Sequence, residues 1–105
     1  MVQELKTYEE FQELISSGKT VVIDFWAEWC GPCKQISPIF VRLAAEYSSI
    51  TFAKVNVDDA AQISEEVGIR AMPTFMVFKN GVKIDELVGA MPPRLQELIV
   101  RASNA

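Results

Sequence analysis

Apolar residues along the chain fall into runs whose spacing separates strands from helices. Val2–Leu5 is a short candidate strand. Thr7 followed by Glu10 makes a capping box, and Phe11, Leu14 and Ile15 then recur at helical spacing, which predicts a helix over Tyr8–Ser16 ended by Ser17-Gly18. Thr20–Ala27 is apolar at both parities apart from Asp24, the pattern of a central strand covered on both faces. From Cys33 onward, Ile36, Phe40, Leu43, Ala44 and Tyr47 mark a long amphipathic helix to about Tyr47. Pro38 lies inside it, and since proline removes a ladder hydrogen bond and crowds the preceding turn, a kink is expected near Lys34–Pro38.

Ile50–Val57 reads as a further strand with Lys54 in its middle. Asp59 with Gln62 is expected to cap a short helix carrying Ile63 and Val67, and Gly68 closes it. Thr74–Lys79 and Val82–Val88 flank Asn80-Gly81, a two-residue hairpin signal that makes these strands antiparallel. Gly89 ends the second strand, Pro92 and Pro93 suit a helix start, and Leu95, Leu98 and Ile99 give that helix an apolar side down to about Arg101. The order is that of an α/β fold with a mixed sheet of about five strands, part of it parallel, flanked by about four helices. Nothing in residues 1–105 reads as a linker, so one domain is expected.

Composition narrows the possibilities. With 50% hydrophobic and 23% charged residues, the chain is expected to be neither disordered nor membrane-spanning. A net charge of −4 without a basic cluster speaks against a nucleic-acid surface. The absence of histidine leaves proton transfer to thiols, carboxylates and amines. Only two cysteines are present, which excludes a disulfide-stapled scaffold. The opening MVQELKTYEE does not resemble a secretory signal, so a cytoplasmic location is expected, although a mature organellar form would look the same.

The candidate chemistry lies in Val21–Lys34, VVIDFWAEWCGPCK, where a strand delivers Cys30 and Cys33 to its C-terminal edge. A helix opening at or just after Cys30 aims unpaired N–H groups at its sulfur and favours the thiolate. The pattern therefore predicts an accessible, attacking Cys30 and a less accessible, resolving Cys33 one turn inside. Asp24 reads either as a carboxylate on a partly open face or as a buried acid of raised pKa beside the thiols, and Lys54 either biases it or is an exposed strand lysine. Two cysteines supply half of a tetrahedral zinc set; with no third cysteine and no histidine, no metal is expected. Trp26 combines core packing with support of the site, whereas Phe25, Phe40, Phe52, Phe75 and Phe78 read as packing residues. Glu28, two residues before Cys30, is expected to point to solvent.

The segment Trp26–Lys34, Asp24, Pro38, Met72-Pro73-Thr74, Lys79-Asn80-Gly81 and Val88-Gly89-Ala90 together resemble the thioredoxin family over essentially the whole chain. The resemblance implies a protein-disulfide reductase, because Gly31-Pro32 matches the reducing members while oxidising and isomerising relatives typically carry a histidine there. It implies that Asp24 lies beneath the active site and moves the proton of Cys33, with Lys54 nearby. It further implies that Pro73 is cis and faces the dithiol, that the adjoining backbone pairs with a bound peptide, and that Met72, Trp29, Val88, Gly89 and Ala90 line a shallow groove. Trp29, Gly31, Pro32, Lys54 and Pro73 are the expected supporting residues. The Cys30–Cys33 disulfide is the implied redox centre, with no bound cofactor. NADPH and flavin belong to a thioredoxin reductase-type partner, since this chain has no Gly-rich phosphate loop. Disulfide-containing client proteins are the other expected partners. A monomer is expected, weak self-association around Trp29 and Met72 being the alternative; an obligate binding subunit is the competing functional class.

Overall fold

A computed structural model describes residues Met1–Ala105. Its elements are β1 (Val2–Glu4), α1 (Tyr8–Ile15), β2 (Val21–Trp26), α2 (Gly31–Glu46), β3 (Thr51–Asn56), α3 (Ala61–Val67), β4 (Thr74–Lys79), β5 (Val82–Val88) and α4 (Pro92–Ser103). The five strands lie in the order β1-β3-β2-β4-β5. β1 and β2 run parallel to β3, while β4 is antiparallel to both β2 and β5. β2 holds the middle because its side chains are apolar on both faces: Val21, Val22, Ile23 and Phe25 are completely buried.

Alternation along β2 feeds two cores. Val22 joins Phe52, Phe75 and Val77 beneath Phe40 and Leu43 of α2 and Leu95, Leu98 and Ile99 of α4. Val21, Ile23 and Phe25 join Val55, Met76 and Phe78 against Phe11 and Ile15 of α1 and Ile63 of α3. Each enclosed phenylalanine contributes roughly 1.5–3 kcal/mol through burial. Asp24 and Trp26 share the parity of Val22, so they face the α2 side, where the cysteines are.

Local chemistry explains the ends. Thr7 and Glu10 form the capping box of α1, each side chain accepting from the other residue's backbone N–H. Asn80 and Gly81 both have positive φ, 54° and 79°, as a two-residue hairpin of this hand requires. Gly68 closes α3 in the left-handed region. α2 remains helical through Pro38.

One capping expectation is overturned. Asp59 and Gln62 do not cap α3; the helix starts after Ala60 with no side-chain cap. Asn56, at the end of β3, takes that role one turn earlier, its Oδ1 accepting the N–H groups of Asp58 at 3.0 Å and Asp59 at 3.2 Å. Asp59 is thereby held in a turn before the helix, with its side chain in solvent.

The hairpin register slips by one between Val77 and Phe78, so Ile84 is an extra residue on the edge strand. The bulge brings Lys83 and Glu86 to the same face, 2.6 Å apart. Asp85 accepts from Arg101 Nε of α4 at 2.8 Å, tying the edge strand to the last helix. No helix is long and apolar enough to cross a membrane.

Candidate active site

Where β2 ends, the chain turns through Ala27–Trp29 and enters α2 with Cys30 as its N-cap. Cys30 Sγ accepts the N–H of Cys33 at 3.2 Å, so a helix terminus is directed at this sulfur. Pro32 sits in the first turn, where a missing N–H costs nothing. The two cysteines form a disulfide across a Cα–Cα distance of 5.3 Å.

The expected contrast in accessibility is small. Cys30 is 5% exposed and Cys33 2%, so the attacking candidate is buried in this disulfide form. The reason is the cap itself: bonding to Cys33 N–H and Sγ turns the Cys30 side chain inward. Gly31 and Pro32 beside it are exposed, as are Glu28 and Trp29. Trp29 is 70% exposed, and its indole Nε1 donates to Asp58 Oδ2 at 3.0 Å.

The Met72–Pro73 bond is cis. Met72 is half-buried against Ala27, Cys30 and Cys33, which brings this loop onto the dithiol. Pro73 is buried, and its carbonyl accepts from Gly89 N–H at 2.9 Å, setting the Val88–Ala90 segment alongside. Val88 is 54% exposed, whereas Ala90 packs back against the larger core.

Beneath the disulfide lies Asp24, 4% exposed, with Oδ1 lacking any hydrogen-bond partner. Of the two sequence readings, burial is the one observed. Loss of solvent pushes its carboxyl up to about 7 from an ordinary value of 3.8, against the opposing pull of the Lys54 charge. Lys54 is the register partner of Asp24 on β3, is half-buried, and lies with Nζ 5.4 Å from the Trp26 ring centroid without closing an ion pair on Asp24. Asp24, Trp26, Cys33, Lys34, Ser37 and Lys54 enclose a cavity of about 90 Å³. A buried carboxylate titrating near neutrality and sharing a cavity with Cys33 can exchange a proton with that thiol.

Three polar residues of this region escaped the sequence reading. Asp58 and Asn56 gave no local signal, because their relation to Trp29 arises from the parallel pairing that sets Trp26 opposite Asn56 and brings the ends of β2 and β3 together. Ser37 could have been found from spacing, since it lies one helical turn after Cys33 on the same face.

The chain matches the family described as Thioredoxin over residues 2–101. It is 56% identical over 104 residues to a thioredoxin of Coprinus comatus, covering 97% of this chain and 98% of that protein. Thioredoxin-1 of Schizosaccharomyces pombe is 46% identical over 99 residues, covering 94% of this chain and 96% of the relative. Among solved structures, that of Malassezia sympodialis thioredoxin agrees with a TM-score of 0.94 at 51% identity, covering 97% of this chain and 93% of that one. A Plasmodium falciparum thioredoxin agrees with a TM-score of 0.93 at 41% identity, covering 95% and 98% respectively.

Proposed function

The chain belongs to the thioredoxin family, and on that premise we propose that it is a general electron carrier whose single domain passes reducing equivalents from a partner reductase to many client proteins. Protein-disulfide reductase activity follows from the family, and the Cys30–Cys33 pair supplies its redox-active disulfide. The carrier role rests above all on Cys30 Sγ serving as N-cap of α2, which stabilises the thiolate that starts the cycle.

In that cycle the Cys30 thiolate attacks one sulfur of a client disulfide, and the other leaves as a thiolate. Cys33 then gives its proton to the Asp24 carboxylate and attacks Cys30 Sγ. The second client thiolate leaves, the Cys30–Cys33 disulfide closes, and two electrons have passed to the client. The reductase returns two electrons to the pair; NADPH and flavin chemistry belongs to that partner. Lys54 holds down the rise in the Asp24 pKa.

Clients bind across Trp29, Met72, Pro73 and the Val88–Ala90 segment, pairing with backbone beside Pro73. Recognition through backbone pairing and apolar fit suits many sequences. Gly31 and Pro32 keep the turn open at the surface. The protein works as a monomer in the cytoplasm.

Equilibrating the pair against a defined thiol buffer tests the direction of transfer, with Cys33→Ser as a trap for mixed disulfides. A strongly reducing potential with clients trapped on Cys30 is expected. A potential near the about −180 mV of disulfide isomerases overturns the reductase role in favour of an isomerising one.

A further inference from the structure

The cavity beneath the disulfide contains one hydroxyl, that of Ser37, for which the cycle above has no use. Ser37 lies four residues after Cys33 on α2, so both side chains are on the face turned toward Asp24. Serine hydroxyls within helices commonly bond a carbonyl of the preceding turn. Those of Ser64 and Ser103 do so here, at 3.0 and 2.6 Å from Ala61 and Val100 oxygens, whereas Ser37 makes no hydrogen bond to another protein group. Pro38 adds a second free group: with no N–H, it leaves the Lys34 carbonyl without its helical donor, and Lys34 is also part of the cavity wall.

Two buried polar atoms in the same wall, Asp24 Oδ1 and Trp26 Nε1, likewise have no partner in the protein. A volume of about 90 Å³ admits more than one water, each of which takes about 30 Å³ in the liquid and needs two to four polar partners. Asp24, Ser37 and the Cys33 thiol supply such a set. Ser37 is exposed while Asp24 and Cys33 are buried, so it also marks the solvent end of the cavity.

We propose that Ser37 is a positioning residue whose hydroxyl anchors the water carrying the proton from Cys33 to Asp24. This inference rests on the role assigned above to Asp24. The charged groups around that path are Lys54 from β3 and Lys34 from α2, while the β4 register neighbour of Asp24 is the uncharged Phe75.

The test is single-turnover reaction of the reduced protein with dithio-bis-nitrobenzoate, in which one aryl thiolate is released when Cys30 attacks and a second when Cys33 resolves the mixed disulfide. Ser37→Ala is expected to leave the first phase unchanged and to slow the second roughly three- to tenfold, the worth of about one hydrogen bond. Ser37→Thr, which keeps the hydroxyl, is expected to restore it. In an Asp24→Asn background, Ser37→Ala is expected to add nothing, since the acceptor is already gone. The inference is overturned if Ser37→Ala slows both phases alike, slows neither, is not rescued by threonine, or adds its full effect to Asp24→Asn. If Asp24→Asn alone leaves the second phase intact, the role of Asp24 fails and that of Ser37 with it. If Asp24→Asn slows that phase and Ser37→Ala does not, only the role of Ser37 fails.

Discussion

Asp24 is held in a protonation range that the dithiol can use. An ordinary aspartate is fully ionised at neutral pH and a poor acid; at about 7, Asp24 is near balance, because burial outweighs the attraction of Lys54. Resolution of a mixed disulfide by Cys33 is therefore expected to quicken as pH rises through about 7, as the carboxylate becomes available as a base. Asp24→Asn is expected to slow resolution on the order of a hundredfold and to remove that inflection, leaving only the titration of the thiols. A pH profile of the second thiolate-release phase reads both effects; an unchanged inflection in the variant would assign it to another group. Asp24 and the cysteines were legible in the sequence because a lone carboxylate in an apolar run and a Cys-x-x-Cys pair are conspicuous. The bond from Trp29 to Asp58 was not, because it joins residues that only the sheet brings together.

At the level of elements, the sequence carried most of the architecture. The Thr7–Glu10 box, the Asn80-Gly81 turn and the apolar spacing of α2 and α4 are local signals, and each element forms where those signals put it. Ends differ by a residue or two, as at α4, which runs on to Ser103, because fraying termini carry little sequence information. The β5 bulge and the cap before α3 were not legible, since both depend on which neighbouring strand or turn wins a backbone group. Asn56 wins because it is 6% exposed at the end of β3, with its amide oxygen facing two backbone N–H groups. Asn56→Ala is thus expected to cost about 1–3 kcal/mol by removing the acceptor for those groups. Asp59→Ala, at the residue whose pattern suggested the cap, is expected to stay within about 0.5 kcal/mol of the parent. Urea unfolding of the two variants compares them directly, and a larger loss for Asp59→Ala would restore the sequence reading. Because the Asn56 turn also carries Asp58, the first variant should loosen Trp29, visible as altered indole fluorescence.

Across the whole molecule, two aspartates shift the proton balance of folding in opposite directions. Asp85 is held below the usual carboxylate range, chiefly by its hydrogen bond from Arg101. Its contribution is present above the ordinary carboxylate pKa and is lost as pH falls; exposure to solvent keeps it below about 1 kcal/mol. Asp24 acts the other way. Folding raises its pKa from 3.8 to about 7, so between those values the native state keeps a proton that the unfolded chain has released, and stability falls as pH rises. Above about pH 7 the cost of burying the carboxylate is complete and on the order of 4 kcal/mol, larger than the surface pair returns. The oxidised protein is accordingly expected to be less stable at about pH 8 than at about pH 5. Asp24→Asn removes the titrating group while keeping a similar shape, so it should gain stability over the parent mainly at the higher pH, with only a small difference near pH 4, where the native carboxyl is protonated and the unfolded one, with its ordinary pKa of 3.8, is only partly ionised. Urea unfolding of both proteins at the two extremes isolates the ionisation from any packing change, which acts equally at each pH. A difference between variant and parent that does not vary with pH would mean that Asp24 is not the group carrying the dependence, and that the site lacks the near-neutral acid on which its proposed chemistry relies.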